Sequence, residues 1–208
     1  MKCSSFVCLS LLLLSNLLSA QSNQSLNNHV NISFGRSIHF SGDIPGIVFS
    51  TEFSKKIKKK ISYSIALVGT IHDSEDPLFF SGPSGQQIDG SIRYVTAGVQ
   101  TSAHLGYHFI STTKSDFQLR LGPLLRYQSS SLPDVVTIVY EPITGQPIPL
   151  IYFEQFEPQR QLTVGGSLQL RYDFTFNGKI SLGLCGGFQI DSDGDNIAQA
   201  SLSIGRRF

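Results

Sequence analysis

The 208-residue chain lacks most of what holds a helical or disulfide-stapled protein together. Of its 3 cysteines, Cys3 and Cys8 fall in an N-terminal apolar stretch, which leaves Cys185 alone. A mature exported chain with one cysteine has no internal disulfide, so its stability must come from another source. Helix-forming composition is poor. Past the N-terminus no run of about 18 apolar residues occurs, so no helical membrane span is expected there. The formal net charge is only +1, which points away from a nucleic-acid partner. No cofactor motif is present.

What the chain does have is alternation. From Leu162 every second residue is apolar or glycine: Val164, Gly166, Leu168, Leu170, Tyr172, Phe174, Phe176. The residues between them are polar and include Arg171 and Asp173. This is a long period-2 strand. Asn177-Gly178, a strong hairpin signal, leads into a second such run over Ile180–Ile190.

The same rhythm predicts eight strands. The first runs over His29–Phe40, with Arg36 interrupting its apolar face. The others cover Gly46–Ser54, Lys60–Ile71, Gly90–Ile110, Asp116–Gln128 with Pro123 as a blemish, Leu162–Phe176, Ile180–Ile190 and Ile197–Phe208. Three connections are short: the basic Lys55–Lys60, Ser111–Ser115 and Asn177-Gly178. Two are long, His72–Asp89 and Ser129–Pro158, and the latter carries an apolar run, Val135–Tyr140.

At the N-terminus, Lys2 precedes apolar Phe6–Leu18, and Leu18-Ser19-Ala20 precedes Gln21. This predicts a secretory signal peptide over 1–20, a lead-in over 21–28, and one barrel domain over 29–208.

An even strand count, short turns at one rim and longer loops at the other mark an outer-membrane barrel. In hydrocarbon every backbone N–H and C=O needs an internal partner, so the sheet must close. The predicted fold is all-β: an eight-stranded antiparallel up-and-down transmembrane barrel. Aromatics near both strand ends, such as Tyr107, Phe117 and Phe174 at the short-turn rim and Tyr94, Tyr127 and Phe188 at the other, suggest interface girdles. The signal peptide, the charges on the polar face and the terminal Phe208 favour an apolar exterior.

The polar face then lines the lumen, where Glu52, His104, His108, Arg120, Arg126, Arg171 and Asp173 are expected. An eight-stranded barrel is only wide enough for side chains to fill, so these residues should plug it; a narrow pore is the alternative. Ser102 with His104 offers a conceivable acyl-transfer dyad, without a carboxylate nearby in sequence. Asp191, Asp193 and Asp195 alternate as calcium ligands would, but the position of Gly194 departs from the EF-hand pattern. A polar hairpin loop is the expectation there, and no metal site is assigned.

The signal peptide, the eight strands and the ending Ser203-Ile204-Gly205-Arg206-Arg207-Phe208 resemble bacterial outer-membrane β-barrels. The glycine-rich Val95-Thr96-Ala97-Gly98-Val99 looks like the small Bacteroidota-type barrels of OmpA/OmpX-like architecture. The resemblance implies an assembly signal at Gly205 and Phe208, read by the barrel-assembly machinery, although Arg206 stands where that class places an apolar residue. It also implies an outer-membrane location with lipid around the barrel, and loops open to an extracellular protein or glycan. The expected role is non-enzymatic display of loops, notably 129–158. A lipid-modifying enzyme and a soluble periplasmic barrel are the remaining alternatives.

Overall fold

The computed structural model describes residues 27–40, 42–81, 85–131, 135–139, 145, 149–154 and 159–208. Residues 1–20, expected to be a signal peptide, and residues 21–26 lie outside these.

Alternation turns into strands as expected. Eight long strands form a closed barrel: β1 (Asn28–His39), β2 (Ile44–Lys58), β3 (Ile61–Asp76), β6 (Ile92–Ser111), β7 (Ser115–Ser130), β10 (Gln159–Phe176), β11 (Ile180–Asp191) and β12 (Asn196–Arg207). Each pairs antiparallel with its neighbours, and β1 closes on β12, with Asn31 opposite Gly205 and Ile38 opposite Ala198. Two small hairpins stand apart from the barrel sheet. They are β4 (Phe79–Ser81) with β5 (Gln87–Asp89), and β8 (Val135–Val139) with β9 (Leu150–Glu154).

Several boundaries differ from the sequence reading. The basic segment is mostly strand: β2 runs on to Lys58 through a register shift at Lys56/Lys58, so only Lys59–Lys60 turn. β3 continues past Ile71 to Asp76, which places His72 inside the barrel rather than in a loop. β6 holds 20 residues, whereas a membrane crossing needs about 9–11. The β3–β6 end therefore projects beyond the apolar band on the long-loop side.

Turn chemistry is local. Asn177 and Gly178 both have positive φ, 47° and 68°, and Lys179 N–H donates to Phe176 O at 3.1 Å. Only residues tolerant of the left-handed region fit there. At another point the barrel needs the absence of a side chain. A Cβ on Gly122 would lie 1.8 Å from Ala103 O on the neighbouring strand, so this glycine lets two backbones approach.

The fold is inverted relative to a water-soluble one. Large apolar side chains face out, Leu105 being 67% and Leu202 70% exposed. The buried set is dominated by Ser, Thr, Gln, His, Arg and Asp. The buried apolar cluster is small: Val48, Ala66 and Val68. Apolar area on this scale cannot stay in water. It fits hydrocarbon.

Outward aromatics gather at the short-turn rim. Tyr107, Phe109 and Phe117 form a chain with ring centroids 5.3 and 5.7 Å apart, and Phe174 meets Phe176 at 4.9 Å. Tyr127 and Phe188 face out toward the other rim. Tyr94 does not: it points inward, 5% exposed, and its hydroxyl donates to Asp76 Oδ1. Its parity in β6 is that of Thr96 and Gln100, so it caps the lumen instead of joining a girdle.

Candidate functional site in the barrel lumen

Period-2 alternation sends every second residue of each strand inward. Glu52, His104, His108, Arg120, Arg126, Arg171 and Asp173 all sit there, none more than 6% exposed. They arrange in three tiers along the axis.

The middle tier is an ion network. Arg171 on β10 grips Asp173 with two bonds, Nε to Oδ2 at 2.8 Å and Nη2 to Oδ1 at 2.9 Å. Its other donors reach Asn31 on β1 at 3.1 Å and Ser203 on β12 at 3.0 Å. Arg120 on β7 donates to Glu52 on β2 at 2.6 Å. Glu52 also accepts from Asn31 at 3.1 Å and lies 3.6 Å from Arg171. Two guanidinium groups thus face two carboxylates. The Arg120–Glu52 and Arg171–Asn31 bonds join strands three places apart in the ring of eight, almost straight across the lumen. Gln100 and Gln189 exchange amide bonds of 2.8 and 2.9 Å across a similar span.

The tier at the short-turn end centres on Asp116. His108 Nδ1 lies 2.5 Å from Asp116 Oδ1, and His108 Nε2 lies 2.9 Å from Ser62 Oγ. Lys56 donates to Asp116 Oδ2 at 2.5 Å, and Arg207 approaches the same oxygen at 3.6 Å. The order Ser62–His108–Asp116 is that of an acyl-transfer triad. Two facts turn it toward a structural role. Lys56 and Arg207 already neutralise the carboxylate that a triad needs to stabilise an imidazolium. Ser62 lines a small pocket of about 30 Å³ with His29, Lys56, Gln118 and Arg207, a volume that suits water.

The tier at the long-loop end contains Arg126, fully buried over Gly98, where a Cβ would lie 2.8 Å from its Nε. Arg126 Nη2 donates to Thr70 at 3.3 Å, while Nε and Nη1 have no hydrogen-bond partner among the described residues. The Asp191 and Asp195 carboxylates attract its charge at longer range. Above it, His39 lies 3.3 Å from Asp195 and edge-on to His72 at 5.4 Å. Ile44, Ile197 and Tyr94 add an apolar layer to this mouth.

Two alternatives weighed from the sequence meet other contacts. His104 does not pair with Ser102: its Nε2 contacts Ser167 Oγ at 2.7 Å on another strand. The Asp191–Asn196 loop uses its acid internally, since Asp191 Oδ1 accepts the N–H groups of Asp193 and Asp195 at 3.1 Å. Among the described residues no group of three His, Cys, Asp or Glu forms a metal cluster.

Sequence reasoning missed Asp116, Lys56, His29 and His72 as lumen residues. Parity could have found Asp116, which alternates with Gln118 and Arg120, and His29, which alternates with Asn31. Lys56 and His72 were hidden because their strands run on past the points where the apolar pattern stops.

Gly205 lies in β12 opposite Asn31, and a Cβ there would crowd His29 and the Val30 carbonyl. Phe208 exchanges backbone hydrogen bonds with Asn28, 3.1 and 2.9 Å. Outside the barrel wall, Arg93 and Asp73 form an exposed ion pair at the projecting end of β3 and β6. Just past β5, the Ser91 hydroxyl and N–H donate to Asp89 and hold its carboxyl below the usual carboxylate range.

No protein-family profile and no curated protein matches this chain. Solved structures do. The attachment invasion locus protein Ail of Yersinia pestis, in complex with the heparin analogue sucrose octasulfate, matches at 12% identity. That match covers 88% of this chain and 98% of Ail, with TM-score 0.52. Neisserial surface protein A matches at 12% identity, 87% and 97% coverage and TM-score 0.53. The N-terminal β-barrel domain of Pseudomonas aeruginosa OprF matches at 14% identity, 89% and 100% coverage and TM-score 0.50. At these identities the likeness establishes the fold. The chain has the architecture of the OmpA/OmpX-type eight-stranded outer-membrane barrels.

Proposed function

We propose that this chain is a non-enzymatic outer-membrane barrel whose lumen is closed by its own side chains and whose long-loop hairpins are displayed outside the cell. Export would use the signal peptide 1–20, and assembly would use the strand ending at Gly205 and Phe208. The observation that carries the closed lumen is the cross-barrel network of Arg120, Glu52, Asn31, Arg171 and Asp173. Charged side chains bonded from wall to wall support a lumen closed to water at mid-depth. The Asp116 and His39–Asp195 tiers add a barrier at each end.

The topology supports display. The β4–β5 and β8–β9 hairpins pair only within themselves and rise from the rim opposite the short turns. They present Phe79, Val136 and Tyr152, each at least 39% exposed. Such apolar side chains on loops favour a partner surface. The charge there selects its chemistry. Asp43, Asp73, Glu75, Asp76, Asp89 and Asp193 are exposed around this end, against Arg36, Arg93 and Arg160. This favours a cationic or neutral extracellular protein or glycan over a polysulfated one of the kind bound to Ail.

Planar-bilayer recording tests the closed lumen. The folded barrel should give no single-channel steps. Steady steps that vanish or change size in Arg120→Ala or Arg171→Ala would make it a pore.

A further inference from the structure

We infer that the short-turn rim is a basic collar that binds the headgroups of anionic phospholipids in the leaflet it touches; this rests on the membrane reading above. The acids of the chain are sorted by end, while the long-loop end also carries Arg36, Arg93 and Arg160. Apart from Glu52, Asp116 and Asp173, every acidic residue falls in a long-loop segment or a strand end beside one. The opposite rim carries Lys55, Lys58, Lys59, Lys60, Lys114 and Lys179, with Arg206 beside them, and all seven are exposed. None of these seven makes an ion pair among the described residues, because the acids at this end, Asp116 and Asp173, point into the lumen and are taken.

Position decides between a solvated turn and a lipid site. Lys59 and Lys60 are turn residues. Lys55 and Arg206 are not. Lys55 stands on the outward face of β2 opposite Tyr63. Arg206 stands on the outward face of β12 between Val30 and Ile180. A cation flanked by lipid-facing apolar side chains lays its stem on them and holds its charge at the headgroups. The Lys60 ammonium lies 6.0 Å from the Tyr107 ring centroid. The Tyr107–Phe109–Phe117 chain and the Phe174–Phe176 pair run through the same band. Aromatic belts mark headgroup depth, so the cations stand level with lipid phosphates. Phosphate is common to zwitterionic and anionic lipids. Uncompensated positive charge selects those with net negative charge.

The test uses the mature chain, folded in detergent with equal phosphatidylcholine and phosphatidylglycerol, stripped of loose lipid and weighed with its retained lipids by native mass spectrometry. Phosphatidylglycerol should exceed phosphatidylcholine by about fivefold or more, the factor for a single cation near an anionic surface. The ratio should fall toward one in Lys55→Gln/Arg206→Gln. If that variant does not fold, as judged by heat-modifiable gel migration, Lys114→Gln/Lys179→Gln is held to the same criterion with a partial fall. Equal retention of both lipids by the parent chain overturns the proposal, as does a ratio that the variants leave unchanged. Loss of the preference on adding inorganic phosphate at constant ionic strength also overturns it, since the site would then be one for free phosphate. A chain that enters neither lipid fails differently: it removes the membrane reading itself.

Discussion

Arg171 concentrates the physics of single residues in this molecule. Its guanidinium donates four hydrogen bonds, to Asp173 twice, Asn31 and Ser203, with Glu52 close by. Removing it strands a carboxylate in a buried site. Arg171→Ala should lower unfolding stability by about 3–5 kcal/mol, the range for breaking a buried pair. Urea titration in detergent, followed by heat-modifiable migration, measures it. Arg171→Met with Asp173→Leu should recover most of the loss, because it removes both charges and keeps volume. Parity made Arg171 and Asp173 legible as neighbours on one face. It could not show that Asn31, 140 residues earlier, completes their bonds. That contact exists only because β1 and β10 face each other across a closed ring.

Among elements, the excursion between β7 and β10 is the clearest case of an independent part. Gln159 pairs with Ser130, so the barrel ends of those strands are already adjacent. Among the described residues, the β8–β9 hairpin pairs with itself and with no barrel strand. Replacing residues 132–157 by a short Gly/Ser turn should leave the barrel within about 1 kcal/mol of the parent, since loop-closure entropy varies slowly with length. A large drop in the same urea assay would mean that the hairpin braces the barrel. The opposite rim is less tolerant. Asn177→Val would place a β-branched residue at φ 47° and should cost about 1–3 kcal/mol. The Asn-Gly pair announced this turn in the sequence. The true ends of β2 and β3 were not announced, because strand pairing extends for as long as the neighbour offers hydrogen bonds, whatever the side chains.

For the whole molecule, the governing fact is inversion. Among the described residues, a polar interior and an apolar wall leave no core large enough to hold the barrel in water. The urea-unfolded chain should therefore regain heat-modifiable migration on dilution into detergent or phospholipid vesicles, and not on dilution into plain buffer. Recovery in plain buffer would return the soluble-barrel alternative. The charge sorting between rims belongs to this scale too. It was present in the residue order, but it acquires meaning only once the turns are assigned to one end and the loops to the other.

The sequence by itself determined the strands, their faces and the alternation of short and long connections, because side-chain direction has period 2 and turn residues act locally. Only the tertiary structure decided which inward residues meet. Closure brings β1 against β12 and carries Arg120 to Glu52 and Arg171 to Asn31 across the ring. It gathers Asp116, Lys56, His108 and Arg207 from four strands, and it turns scattered lysines and an out-of-place Arg206 into one collar. Distances across a closed sheet depend on register summed over eight pairings, and no local pattern in the chain encodes that sum.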